Sequence, residues 1–126
     1  MNEKTLLLRQ IHPSWVQDGR VTSQAFCPTE AHQGLLSTYD QELIDCQTAF
    51  AHFTKELQKK STGIRAIAVA DCAVLNLPVR SDPDTHPSHA VVDFTEYDRK
   101  PRERKAKELR NRSEVHGWLF GPVTTS

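Results

Sequence analysis

A charged side chain in the middle of an apolar run sets the first constraint. Residues 5–11, Thr-Leu-Leu-Leu-Arg-Gln-Ile, read as a strand that is apolar on both faces until Arg9. That is the pattern of a central rather than an edge strand. Burying a guanidinium there is costly unless it is paired. Arg9 therefore either meets a buried acid, with Asp40 and Asp93 as candidates, or faces a pocket.

Pro13 ends this run, because proline has no N–H to give to a sheet ladder. The next clear apolar run is 35–39, preceded by Gly34. The long connection between them is dense in hydrogen-bonding and aromatic groups. Ordered loops of this length in small domains are usually functional, and the aromatics argue against plain disorder. Asp18-Gly19 marks a turn. Residues 21–27 read as a second short strand or an extended segment, stopped by Pro28. The candidate site residues of this stretch are Arg9, His12, Trp15, Arg20, Ser23, Gln24 and Phe26. Arg9, His12, Arg20 and the hydroxyls of Thr22 and Ser23 make an anion-binding cup, with Trp15 and Phe26 as stacking faces. The alternative is an internal polar network that braces the loop.

Asp45 is placed to cap a helix over 46–60. Cys46, Ala49, Phe50, Phe53 and Leu57 fall on one stripe, and Lys55, Lys59 and Lys60 suit the negative end of the helix dipole. Residues 64–70 read as a buried strand, and Asp71 as the cap of a short helical turn through Leu77. Residues 81–88 read as a loop and 89–94 as another strand. A final helix begins with Pro101 in its first turn and runs to about His116, stopped by Gly117. Residues 118–120 pin the end of the chain to the core. Together these elements predict an α+β or α/β domain over 1–126, with 121–126 as a frayed tail. Its two layers would comprise a mixed sheet of four to five strands and two main helices.

The chain has 126 residues, 37% hydrophobic and 25% charged, which is ordinary for a soluble globular protein. No apolar run approaches the ~20 residues of a membrane span. The three leucines at 6–8 are too few for a secretory signal. Cys27, Cys46 and Cys72 form no CxxC pair, so they fit a reducing cytoplasm as small buried hydrophobes. The total charge is zero, but it is unevenly spread. Arg99, Lys100, Arg102, Arg104, Lys105, Lys107, Arg110 and Arg112 crowd one helix against Glu103 and Glu108. This is either a basic stripe for phosphates or an acidic partner, or a solvated charged face.

His86-x-x-His89, with Asp82 and Asp84 upstream, is the nearest approach to a metal signature. It lacks a defining spacing, so neither metal nor cofactor is expected. His89 reads as a hydrogen-bonded structural residue, His32 and His52 as surface groups. There is no GxSxG elbow, no glycine-rich phosphate loop and no Walker motif.

The order of several segments resembles a group of small bacterial proteins without an assigned activity. The matching positions are Arg9, His12 and Pro13; Gly19, Arg20, Ser23, Ala25 and Phe26; Leu36 and Ser37; Asp82 and Pro83; His89 and Ala90. A fainter likeness is to RES-type and ADP-ribosyltransferase-like toxins, which also carry an early-strand Arg and a Ser or Tyr on a following strand before a helix. No glutamate of this chain is matched to their late catalytic one.

Three functions follow as expectations. The first is a non-enzymatic bacterial cytoplasmic protein acting on a partner protein, one encoded nearby, of the immunity, antitoxin or defence accessory type. Trp15 and Phe26 would be its anchors. The second is a nucleotide-binding or ADP-ribosyltransferase-like enzyme using Arg9, His12, Arg20 and Ser23. The third is nucleic-acid binding through the basic helix at 99–112.

Overall fold

The computed structural model describes residues 1–29 and 33–123. The first strand, β1 (Leu6–Ile11), lies inside the sheet, as its two apolar faces predict. The chain then makes a short 3-10 turn over Pro13–Trp15. A two-residue hairpin follows, from β2 (Val16–Gln17) to β3 (Arg20–Val21). Its turn residues, Asp18 and Gly19, sit at φ 51° and 77°, the left-handed backbone that such a hairpin requires. Beyond Val21 the expected strand does not continue. Ser23–Phe26 forms a second 3-10 turn instead, which swings Ala25 and Phe26 into the core.

β4 (Leu35–Asp40) pairs with β1 on one side and with β7 (His89–Asp93) on the other. β5 (Gly63–Ala68) lines the far side of β1. Two three-residue strands, β6 (Val79–Ser81) and β8 (Trp118–Phe120), complete the edges. The order is β6-β7-β4-β1-β5-β8, with every pairing antiparallel. The expected mixed sheet of four to five strands is thus a six-stranded antiparallel one. β6 and β8 are too short to show a period of two in sequence.

The helices also depart from two layers. Register fixes which side chains share a face, because alternate residues of a strand point to opposite sides. Leu7, Ile11, Leu36, Ile67 and Val92 lie on one face, under α3 (Arg99–His116), whose Ala106 and Leu109 are buried against them. Leu8, Tyr39, Ile64 and Ala66 lie on the other, under α1 (Cys46–Ala51). The sheet is therefore covered on both faces. α2 (Val69–Val74) starts two residues before the expected cap. Asp71 still accepts the Ala68 N–H at 2.8 Å.

Asp45 caps α1 as predicted, accepting the Thr48 N–H at 2.7 Å. The helix is shorter than expected, however. After Ala51 it widens into a π turn over His52–Glu56, closed by Leu57 N–H on the His52 carbonyl at 3.0 Å. α1 itself packs over β5 and β8. The neighbouring half of that face, on β4 and β7, is bordered by the π turn and by the loop after β6.

Gly117, at φ +66°, ends α3 as predicted. The described part of the expected tail is tied down: Val123 gives its N–H to the Thr62 carbonyl at 2.6 Å and accepts the Thr62 hydroxyl at 2.8 Å. Residues 124–126 of that tail lie outside the described residues, as does His32. No helix among the described residues is long and apolar enough to cross a membrane.

Candidate functional site

The half-covered face of β4 and β7 holds a cavity of about 380 Å³, within the size range of small-ligand pockets. Three features of the sequence produce it. β1 and β4 share only two residue pairs, Leu7↔Asp40 and Leu8↔Tyr39, so the strands part beyond Leu8. The π turn presents both His52 and Phe53 to the sheet. The loop after β6 brings Asp82, Thr85 and His86 to the rim.

Arg9 occupies the parting of the strands. Its Nε donates to the Ala25 carbonyl at 2.7 Å and its Nη1 to the Ser37 carbonyl at 3.0 Å, while the guanidinium lies 5.1 Å from the Trp15 ring centre. The side chain thus replaces ladder bonds that β1 and β4 do not make. Asp40 and Asp93, the expected acid partners, are engaged elsewhere. Asp40 accepts the Glu42 N–H, and Asp93 accepts Arg80 and Thr95. Among the described residues no carboxylate pairs with Arg9. Burial pulls its pKa from 12.5 to about 10, the direction expected of a cation removed from water without a counter-charge.

Next to it, Gln10 is 4% exposed and also lines the cavity. Its Oε1 accepts the Ser61 hydroxyl at 2.7 Å, and its Nε2 has no partner. Turning the amide over would only exchange which end is left unpaired.

The rim carries a cluster of rings. Tyr39 and His52 meet edge to face at 5.7 Å, and His52 and His86 approach to 4.2 Å between centres. Hydrogen-bond partners assign the protons. Burial, and then the nearby Glu56, push Tyr39 up to about 12. It therefore stays protonated at neutral pH, and its hydroxyl shares a hydrogen bond of 2.7 Å with His52 Nδ1. The Ser88 backbone N–H donates to His86 Nδ1 at 3.2 Å, which puts the proton of neutral His86 on Nε2. His89 Nδ1 lies 3.0 Å from Asp82 Oδ2, so there the proton is on Nδ1 and the lone pair on Nε2. Asp82 also accepts the Thr85 hydroxyl at 2.6 Å, the largest of the effects that hold its carboxyl below the usual range. Burial lowers the His89 pKa, against the opposing pull of Asp82. The ring is thus kept as a neutral base.

The residues singled out in the sequence do not share one hollow. His12 turns back on its own loop, where Nδ1 accepts the Ser14 N–H at 3.0 Å. Arg20 is exposed and reaches Glu114 at 3.5 Å. Ser23 and Gln24 lie in the second 3-10 turn. Phe26 is fully buried, and Trp15 packs against the same core. Phe26, expected as a partner-facing anchor, is a core residue because the 3-10 turn points it inward. Only Arg9 of that set lines the cavity.

The basic helix is largely spoken for. Arg102 donates to the carbonyls of Phe94 and Tyr97, Lys105 to that of Leu75 and Arg110 to that of Val21. Arg99 pairs with Glu103, Arg110 with Glu114 and Arg112 with Asp71. Lys100, Arg104 and Lys107 remain on the solvent side. Half of the expected stripe thus fastens α3 to loops and sheet.

The sequence pointed to His86, His89, Asp82 and Asp84 as a weak metal motif. Among the described residues no group of His, Cys, Asp and Glu is arranged to hold a metal ion. His89 is hydrogen-bonded, as predicted, but it also lines a cavity. His52, expected at the surface, has a side chain only 16% exposed. Tyr39, Gln10 and His52 carried a usable signal: polar side chains at positions whose period places them inward. No protein-family model, curated protein or solved structure matches the chain, so function is read from the geometry alone.

Proposed function

We propose that this protein binds a small organic anion in the cavity between β4, β7 and the π turn. The observation that carries the reading is Arg9, a half-buried cation set in the parting of β1 and β4 at the floor of the cavity, bonded to the Ala25 and Ser37 carbonyls with no carboxylate paired to it among the described residues. An anionic ligand there supplies the missing counter-charge, and such charge-assisted bonds are the stronger kind. The unpaired Gln10 amide offers a further hydrogen bond, and Leu8, Leu35, Phe53 and Val91 provide apolar wall for the rest of the ligand. This keeps the anion-binding role expected for Arg9 and moves it from the loop to the sheet face. The partner-protein reading draws less support, since its aromatic anchors pack inward. Nucleic-acid binding does too, since half of the basic side chains on α3 are already engaged.

The test is a thermal-shift titration with diphenyl phosphate, a stable organic monoanion. A ligand that binds only the folded state stabilises it by about 2.7 kcal/mol at a hundredfold excess over Kd. For a domain of this size that raises Tm by roughly 10 °C. An unchanged Tm at millimolar diphenyl phosphate and at millimolar phenylacetate contradicts the reading.

A further inference from the structure

We infer that this cavity is a hydrolytic site for phosphodiesters, in which His89 is the general base and Asp82 positions it. The inference rests on the anion-binding reading above and adds a reaction to it.

The first support is the Asp82–His89 pair itself. Its 3.0 Å contact fixes the imidazole with Nδ1 protonated and Nε2 carrying the lone pair. A carboxylate–imidazole pair of this kind is the usual way to orient a base. Thr85 in turn holds the carboxylate through its hydroxyl at 2.6 Å, so the base sits on a built support. The His89 side chain is 12% exposed and lines the cavity.

The second support is the placement of charge. Arg9 bonds to the carbonyl of Ser37, and His89 pairs with Tyr39 across the β4–β7 ladder. Ser37 and Tyr39 are two residues apart on one strand, about 7 Å along it. The cation and the base thus belong to neighbouring rungs of one cavity wall. The third is the sum of charge. The lining carries two cations, Arg9 and Lys59, against one carboxylate, Asp82, and a phosphodiester, with one negative charge on the group that reacts, matches the net single positive charge. A phosphomonoester carries about −1.5 to −2 near pH 7, more than this cavity offers beside ionised Asp82. A carboxylic ester carries none and leaves Arg9 unmatched. The unpaired Gln10 Nε2 and the Nε2–H of His86 are donors for the non-bridging oxygens.

The step balances without a further reactant. Water gives a proton to His89 Nε2 as its oxygen bonds to phosphorus. The bond from phosphorus to one ester oxygen breaks, and its electron pair leaves with the departing alkoxide or phenoxide. The imidazolium then returns the proton to the leaving group or to solvent. The products are a phosphomonoester and an alcohol.

The experiment uses the full chain and bis(p-nitrophenyl) phosphate, following p-nitrophenolate by absorbance, with diphenyl phosphate affinity measured in parallel. The wild-type protein is expected to turn the probe over. H89A and H89Q, checked for folding by circular dichroism, should lower kcat by roughly 10²–10⁴-fold, the usual reach of general-base catalysis. D82N should lower kcat with little change in KM and alter the acid limb of the pH profile. In the wild type that limb should lie below the ordinary imidazole range, because burial disfavours the charged ring. The groups facing His89 are Asp82 and His86 from the loop, Tyr39 across the β4–β7 ladder and Lys59 beyond the π turn. His12→Ala, outside the cavity, should leave turnover unchanged. If diphenyl phosphate binds and the probe is not hydrolysed, the hydrolytic inference falls and the binding reading stands. If neither occurs, both fall. Turnover that survives in folded H89A and H89Q overturns the assignment of the base.

Discussion

Replacing Phe26 with alanine should cost about 3–5 kcal/mol of folding stability, the usual price of emptying a fully buried aromatic site. Tm would fall by roughly 10–20 °C. Phe26 has zero exposure and lies in the cluster that joins β1, β4, β7 and α3. The second 3-10 turn packs directly on α3, so the cavity left by the ring lies between helix and sheet, where neither can close over it. Denaturant unfolding measures the loss. A surface anchor would behave otherwise, leaving Tm unchanged while weakening attachment to a partner. A Phe26→Ala variant as stable as the wild type would contradict the inward turn at Ser23–Phe26.

The second large effect is expected at Arg9. Arg9→Met keeps much of the side-chain length but removes the donors to the Ala25 and Ser37 carbonyls. Hydrogen bonds to charged groups are worth about 1.5–3 kcal/mol each. Removing the guanidinium also relieves its own burial, which offsets part of the loss. A net destabilisation of about 2–4 kcal/mol follows. Arg9→Lys retains the charge without the planar fork, so it cannot serve both carbonyls at once and should fall between. The same change acts on the ligand. Truncating one member of a buried charge pair costs at least about 2 kcal/mol, so the affinity of Arg9→Met for diphenyl phosphate should drop roughly 30-fold or more. Arg9→Met with wild-type stability and wild-type affinity would show that the guanidinium neither bridges the strands nor faces the ligand.

How far the residues alone lead can be traced element by element. β1, β4, β5 and β7 are long enough to show their apolar pattern, and Asp45 and Gly117 mark helix ends by local chemistry that needs no tertiary context. β6 and β8 are three residues each, so their assignment depends on pairing with distant partners. The π turn is hidden for another reason. One extra residue in a single turn hardly disturbs an apolar stripe, yet it rotates His52 toward Tyr39. The covering of both sheet faces follows from register, which is a long-range property.

The candidate site was only partly visible for the same reasons. The cost of burying Arg9 can be argued from Leu6–Ile11 alone, and one of the two outcomes it allows, a pocket, is the one that the geometry favours. Its bonding to main-chain carbonyls instead of a carboxylate depends on how far β1 and β4 diverge, which no local pattern reports. His86 and His89 stood out by spacing, but their partners come from β4, the π turn and the Asp82 loop. Tyr39, His52 and His89 are far apart in the chain and meet only once the sheet is assembled.

The measurement that bears most directly on the site is an amide NMR titration of the intact protein with diphenyl phosphate. Shift changes are expected at Leu35–Asp40, at His52–Glu56, at His89–Asp93 and at residues 82–88, which surround the cavity, together with Arg9 and Gln10. Changes centred instead on His12, Arg20, Ser23 and Gln24, with the cavity residues unmoved, would contradict the placement of the anion site on the sheet face.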